Sequence, residues 1–285
     1  MRCDLHVHTV HSGMCTLPLL SRICRECYTP PLALFERLRQ LGMGLVTVTD
    51  HDSIDAAEEL RKYPEFFLSE EVTVILPSGT EAHVGIYDIT DRQHIEVQAR
   101  RDDAPRFFAY LQEQGILSSI NHLLSALTGR RAKADFAFVA AAASAIETKN
   151  GAMPNRTNTA AAEFAAWTGK ARIGGSDSHA LRSAGRAFTE VKHARNKFEF
   201  LQGVRSGAAS IGGADGGYWL LNREVLSIVR SLLRERPAVL PLIPLLAALP
   251  VVLLFNYGQE LAFSSVWRSR LAVDAARLPI PELIA

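Results

Sequence analysis

Between residue 1 and about residue 212, short apolar runs alternate with amphipathic helical stretches, and this alternation limits the fold more than any other feature of the chain. Residues 2–8 and the β-branched run 44–50 read as strands. Between them, 29–42 reads as a helix, with Thr29 as cap, prolines in its first turn and Gly42 as its stop. A short helix follows over 53–63 with Ser53 as its cap. The runs 71–77 and 81–89 flank Pro77-Ser78-Gly79 and predict a hairpin. A polar helical region, 91–114, is broken by Pro105. Strands are then expected over 115–121, 144–148, 171–175 and 186–191, and helices near 132–143, 158–168 and 195–206. Strands alternating with helices imply βα units around a largely parallel sheet or barrel. The chain divides into a domain over 1–212 and a hydrophobic extension over 213–285.

The histidines fall on this map in a telling way. All nine lie at or before position 193. The segment Asp4-Leu5-His6-Val7-His8-Thr9 alternates. In an extended strand Cys3, Leu5 and Val7 face one side, and Asp4, His6 and His8 the other. Two imidazoles and a carboxylate on one face suit a metal better than a core. His51 follows the strand 44–50, Glu71 opens the next, His83 lies in the return strand of the hairpin, and His122 follows the strand 115–121. Asp177 and His179 follow the strand 171–175. In α/β barrels the strand ends of one face carry the active site. His94 and His193 lie in polar sequence and are assigned to the surface. The four cysteines, Cys3, Cys15, Cys24 and Cys27, are read as reduced thiols, although Cys24 and Cys27 have the C-x-x-C spacing of a zinc clasp or redox pair.

The stretches DLHVHT, VTVTDHDSID, EEVTV, AHVGIYDI, INH, AIETKNG and GGSDSHA occur in the order and approximate spacing of the PHP (polymerase and histidinol phosphatase) family, which residues 1–212 resemble. The resemblance implies a distorted seven-stranded β/α barrel and a cluster of two or three divalent ions at the strand C-terminal face. It also implies hydrolysis of phosphomonoesters or phosphodiesters by a metal-bridging hydroxide. Carried over residue by residue, His6, His8, Glu71 and Asp177 would hold one ion. Glu71 would bridge to a second with His83 and His122, and His51 and His179 would hold a third. Glu71 is preferred to Glu70 because Glu71-Val72-Thr73 matches the family's step. Imidazole with carboxylate suits Zn, Mn or Fe. Many relatives carry an Asp or His about five residues after the second histidine, where this chain has Gly13; the missing ligand would be His11, or Cys15, or absent. Asp177, His179 and His51 are the catalytic candidates, with His179 or His51 nearest to assist the leaving oxygen. Asp50 or Asp52 would orient His51, and Arg186 and Lys149 would bind phosphate. Gly13 and the extension also allow a degenerate domain that binds metal or phosphate without turnover.

The extension has another character. No charge occurs from 237 to 259, and the run 237–255 is apolar throughout. Its span of roughly 27 Å as a helix is near the lower limit for crossing a bilayer. Pro241, Pro244 and Pro250 argue against a regular soluble helix, and Arg230, Arg234 and Arg236 precede the run. Membrane association at 237–255 is one expectation, and packing on the domain is the other. With 31 basic and 30 acidic residues the chain has no extended nucleic-acid surface. A small phosphorylated substrate or a short oligonucleotide is the expected partner. The N-terminus has no signal-peptide pattern, so the expected location is cytoplasmic, at the inner face of a membrane if the extension meets one.

Overall fold

The computed structural model describes residues 1–15 and 20–277. Its strands are β1 (Arg2–Cys3), β2 (Ser69–Ile75), β3 (Glu81–Tyr87), β4 (Leu117–Ile120), β5 (Ala145–Asn150), β6 (Ala171–Gly175), β7 (Ala187–Glu190) and β8 (Ser210–Gly213). Its helices are α1 (Pro31–Gln40), α2 (Ala57–Leu60), α3 (Asp91–Gln98), α4 (Ala104–Glu113), α5 (Lys133–Ala142), α6 (Asn155–Thr168), α7 (Lys197–Arg205), α8 (Tyr218–Glu235) and α9 (Leu249–Arg277).

The fold is α/β, but the strands form a five-stranded sheet, β2-β3-β4-β5-β6, and a separate three-stranded sheet, β1-β7-β8. The seven-stranded barrel expected from the resemblance is not what the hydrogen bonding describes. Of the expected strands 2–8 and 44–50, only Arg2–Cys3 joins a ladder; the rest, with His51, makes single bridges, Val7 to Ser178, Val46 to Phe66 and His51 to Glu71. Side chains take over the ladder. Asp4 accepts from the backbone N–H groups of Ser176 and Gly185. Thr49 accepts from the Val7 N–H, and Thr47 donates to the Phe67 carbonyl. Such local bonds compete with regular pairing, so a strand-like segment loses its ladder without losing its place.

Both faces of the 3–8 segment are buried, since Cys3, Leu5 and Val7 pack in the core while Asp4, His6 and His8 are at most 1 % exposed. The polar face is thus an interior wall rather than a surface. Pro105 stands in the first turn of α4, and the break in the 91–114 region falls before it, capped by Asp103.

The sequence reading assigns neither β8, at the end of the domain, nor α8, in the extension. Residues Pro237–Ala248 form a 3-10 helix. Pro241 and Pro244 lack the N–H that a longer α-helix would need there. α9 then runs on, and the segment Leu246–Asp274 is long and apolar enough to cross a membrane by length and composition. Its second half is fastened to the domain. Leu253, Glu260, Ser264, Trp267 and Leu271 form a buried stripe. Trp267 packs on Phe136 of α5 with centroids 4.7 Å apart, Arg268 pairs with Glu163 of α6, and Lys133 bonds Asp274 at 2.9 Å. Glu260 accepts from the Ser125 hydroxyl, the Ala126 N–H and the Thr157 hydroxyl.

Candidate metal centre

One carboxylate organises the cluster. Glu71 lies on β2 beside the antiparallel β3, and its side chain is fully buried. Its Oε2 lies 3.2 Å from His6 Nε2, 3.5 Å from His8 Nε2 and 3.3 Å from His51 Nδ1. Its Oε1 lies 3.4 Å from His122 Nε2 and 3.7 Å from His83 Nδ1. Asn121 holds Oε1 from behind with a hydrogen bond of 2.8 Å. Glu70 points the other way, to His94 and Gln98. The strand period of two separates the neighbours, so the choice between them is a choice of face. His94, assigned to the surface from sequence, is instead this partly buried partner of Glu70.

Asp177 is the second acid. Its Oδ1 lies 3.4 Å from both His6 and His8 and 3.8 Å from His179 Nδ1. Asp177 and His122 both adopt positive φ, 49° and 31°. Two non-glycine residues in this region at one site store backbone strain there, and each stands two residues past the end of a sheet strand, β4 or β6.

The buried histidines are oriented from behind. His6 Nδ1 bonds Glu147 at 2.8 Å, and His8 Nδ1 bonds Ser12 at 2.9 Å. Each ring therefore offers Nε2 to the centre, which is the usual way a ligand histidine is set. Asn150 joins the carboxylates of Glu147 and Asp177. Asp50 accepts from Thr9 and Ser12, so it acts on His8 through Ser12 and does not orient His51. Asp52 is engaged with Arg101 and the Thr73 N–H, so it does not orient His51 either.

Five buried atoms that face the centre lack hydrogen-bond partners: His6 Nε2, His8 Nε2, Glu71 Oε2, His83 Nδ1 and His179 Nε2. Buried polar atoms are rarely left so. The contacts of 3.2–3.8 Å among Glu71, Asp177 and the histidines are long for hydrogen bonds. They are close to the spacing of about 3.4 Å between two ligands on a tetrahedral ion with bonds of about 2.1 Å. Four overlapping groups could each hold an ion: His6, His8 and Asp177; His6, Glu71 and His122; His51, Glu71 and His83; and His8, His51 and His179. The residues therefore fit a metal cluster.

The charges fit as well. Burial alone would raise the Glu71 carboxyl, but His6, His51 and His83 hold it well below the usual carboxylate range. Asp177 is held low in the same way, by His6 and His8 against its burial. Burial would strip the His6 proton, yet Glu71, Asp177 and Glu147 hold its pKa well above the ordinary value. His8 is pushed well below its usual value by burial and by His179, and burial takes His83 down to about 3. An entering cation would replace the His6 proton, so its affinity rises with pH.

Other expectations did not meet at the centre. Among the described residues, no ion pair or ring contact brings His11 to the cluster. Its N–H caps Thr9. The Cys15 N–H bonds the Cys24 carbonyl. The Cys24–Cys27 pair is no clasp, because Cys27 alone is turned inward to donate to the carbonyls of His8 and His179. Burial raises its thiol to about 12, which suits a donor. Lys149 and Arg186 are both committed to Asp215, to its carboxylate and its carbonyl respectively. Sequence reasoning missed Glu147, whose only signal is an acid within the strand 144–148, and Glu26, which has none.

Gly175 lets the parts meet. A Cβ there would overlap the His6 backbone, because the end of β6 lies against the 4–8 segment. Gly175→Ala is expected to cost about 1–3 kcal/mol by forcing these segments apart and to weaken metal binding with it. A melting curve within 1–2 °C of wild type (about 0.5 kcal/mol or less) would contradict this close approach.

Comparisons with known proteins bear on the fold. The PHP-associated family model PHP_C matches residues 155–209. A two-domain protein from Bacteroides vulgatus, containing a predicted PHP-like metal-dependent phosphoesterase, superposes with a TM-score of 0.58 at 16 % identity, over 78 % of this chain and 68 % of that one. PsfC from Pseudomonas syringae superposes with a TM-score of 0.56 at 14 % identity, over 81 % and 97 %. No curated protein sequence matches. The PHP-associated model thus matches one segment of this chain, and the two solved structures share its fold.

Proposed function

We propose that the protein is a metal-dependent hydrolase of phosphomonoesters or phosphodiesters. The observation that carries this reading is the convergence of partnerless buried ligand atoms on Glu71 and Asp177. Divalent ions (Zn, Mn or Fe) held there would supply charge neutralisation at the attacked phosphate and an acidified water. The chain's own residues divide the remaining work by depth. His6, His8, Glu71 and Asp177 form the closed floor, at most 7 % exposed. His51, His83 and His179, with side chains 16–20 % exposed, form the rim that a substrate meets. His179 and His51, at the rim, would assist the leaving oxygen, and Asp177 would share ions with His6 and His8. Lys149 and Arg186 would take a phosphate only by exchanging it for Asp215.

That commitment to Asp215 is the observation favouring the second reading, a metal- or phosphate-binding regulatory domain without turnover. The two readings separate in one experiment on the full chain. Metal content after desalting is measured beside hydrolysis of p-nitrophenyl phosphate and bis-p-nitrophenyl phosphate with added Mn or Zn. Two or three ions per chain with turnover abolished by Asp177→Ala is the expected result. Bound metal without turnover on either ester or on short oligonucleotides would favour the regulatory reading.

For the extension we propose surface contact with a membrane at most, at the cytoplasmic side. Crossing by 246–274 would pull Glu260, Arg268 and Asp274 from their partners. A surface contact through the exposed Val251, Val252, Leu254 and Phe255 leaves those partners in place.

A further inference from the structure

We infer that Glu26 is the acidic ligand of the outermost ion, in the place that Gly13 leaves without a side chain. This rests on the metal-centre reading above and names a residue that the family pattern does not supply. Glu26 turns its two carboxylate oxygens to two different rim histidines. Oε1 lies 3.6 Å from His179 Nε2, and Oε2 lies 3.7 Å from His51 Nε2. Both gaps are too long for hydrogen bonds and close to the ligand-to-ligand spacing around an ion.

His8, His51 and His179 already form one group of ligand atoms within 4.8 Å of one another. The His8 ring stacks between the other two, 4.7 Å from His51 and 4.3 Å from His179. Three imidazoles facing one point gain nothing from each other. His8 Nε2, on a fully buried side chain, and His179 Nε2 have no hydrogen-bond partner. A fourth, anionic ligand completes such a set and offsets the charge of the ion.

The local chain explains why Glu26 reaches this point. Its N–H donates to the Gly13 carbonyl at 3.1 Å, and Met14 bridges Arg25 beside it. Position 26 is thereby laid against position 13. On its other side, the Cys27 thiol donates to the carbonyls of His8 and His179 at 3.4 and 3.2 Å. Arg25 pairs with Glu235 of α8. The loop is pinned on both flanks of Glu26, and the side chain between the pins faces the histidines.

The test uses the full chain, stripped with chelator, reloaded with Mn or Zn and passed through gel filtration before elemental analysis. Wild type is expected to retain three ions. Glu26→Gln is expected to retain two, with the remaining one at least about 10-fold weaker, the order of effect that ligand-shell changes have. Glu26→Ala serves as the second variant if Gln disturbs the loop. Melting of the metal-free proteins should be unchanged, since Glu26 makes no hydrogen bond through its side chain among the described residues. Equal stoichiometry and affinity in wild type and both variants would overturn the role of Glu26. Wild type that holds no ion under any loading would instead overturn the metal centre itself.

Discussion

Replacing Glu71 with Gln is expected to remove tight metal binding and with it all hydrolysis. The substitution keeps the shape and the hydrogen bond from Asn121. It removes the one anion shared by the inner ligand groups. Glu71 belongs to two of the four groups and faces His6, His8, His51, His83 and His122. Loss of an outer partner alone costs about 10–100-fold in metal affinity, so loss of this shared ligand should cost about 100-fold or more. The metal-free state should respond in the opposite sense. The Glu71 charge is what outweighs burial in keeping His6 protonated. Without it the His6 pKa falls, and the ring enters the fold neutral. The contribution of the raised His6 pKa to stability is present below the ordinary histidine pKa and is lost as pH rises through the higher folded value. In Glu71→Gln that pH dependence should flatten, and this is readable from melts of chelated protein between about pH 5 and 9. A variant that binds metal as wild type does would show that the histidines converge for packing and not for an ion.

Much of this centre is legible in the sequence because strand periodicity and strand ends are local properties. His6 and His8 share a face by spacing alone. Glu71 and Glu70 differ only in which face of β2 they occupy, and the two faces lead to His6 and to His94. Partners that arrive from far along the chain are another matter. Glu147 reaches His6 across 141 positions, and an acid in a strand does not say which distant residue it meets. Glu26 reaches the rim only because a loop folds back on Gly13, and turns of that kind have no periodic signal. The hydrogen bonding does not confirm the expected barrel, for a related reason. The 4–8 and 44–50 runs have the composition of strands, but Asp4, Thr47 and Thr49 spend their side chains on the neighbouring backbone. Composition records the buried, extended conformation and not which atoms pair.

The extension gives the second large expected effect. Glu260→Ala should destabilise the protein by about 3 kcal/mol, since it strands three donors at a buried site. Hydropathy treats α9 as a continuous apolar rod, yet Glu260 stands at its centre, 9 % exposed, and accepts from Ser125, Ala126 and Thr157. Those donors belong to the segment after β4 and to the first turn of α6, which also lead to His122 and from Asn150. The same residues therefore hold α9 down and brace the strand ends of the metal centre. For a chain of this size the loss corresponds to roughly 5–10 °C in melting temperature. Truncation after about residue 215 should cost more, because it also uncovers Phe136 under Trp267. A catalytic fragment lacking the extension would then melt earlier than the full chain and aggregate through that bared surface. If Glu260→Ala melted with wild type, α9 would be free of the domain. A free helix of this length and composition meets the dimensions of a membrane span. The melting temperature of one variant thus decides whether 246–274 is a strut of the domain or an anchor beside it.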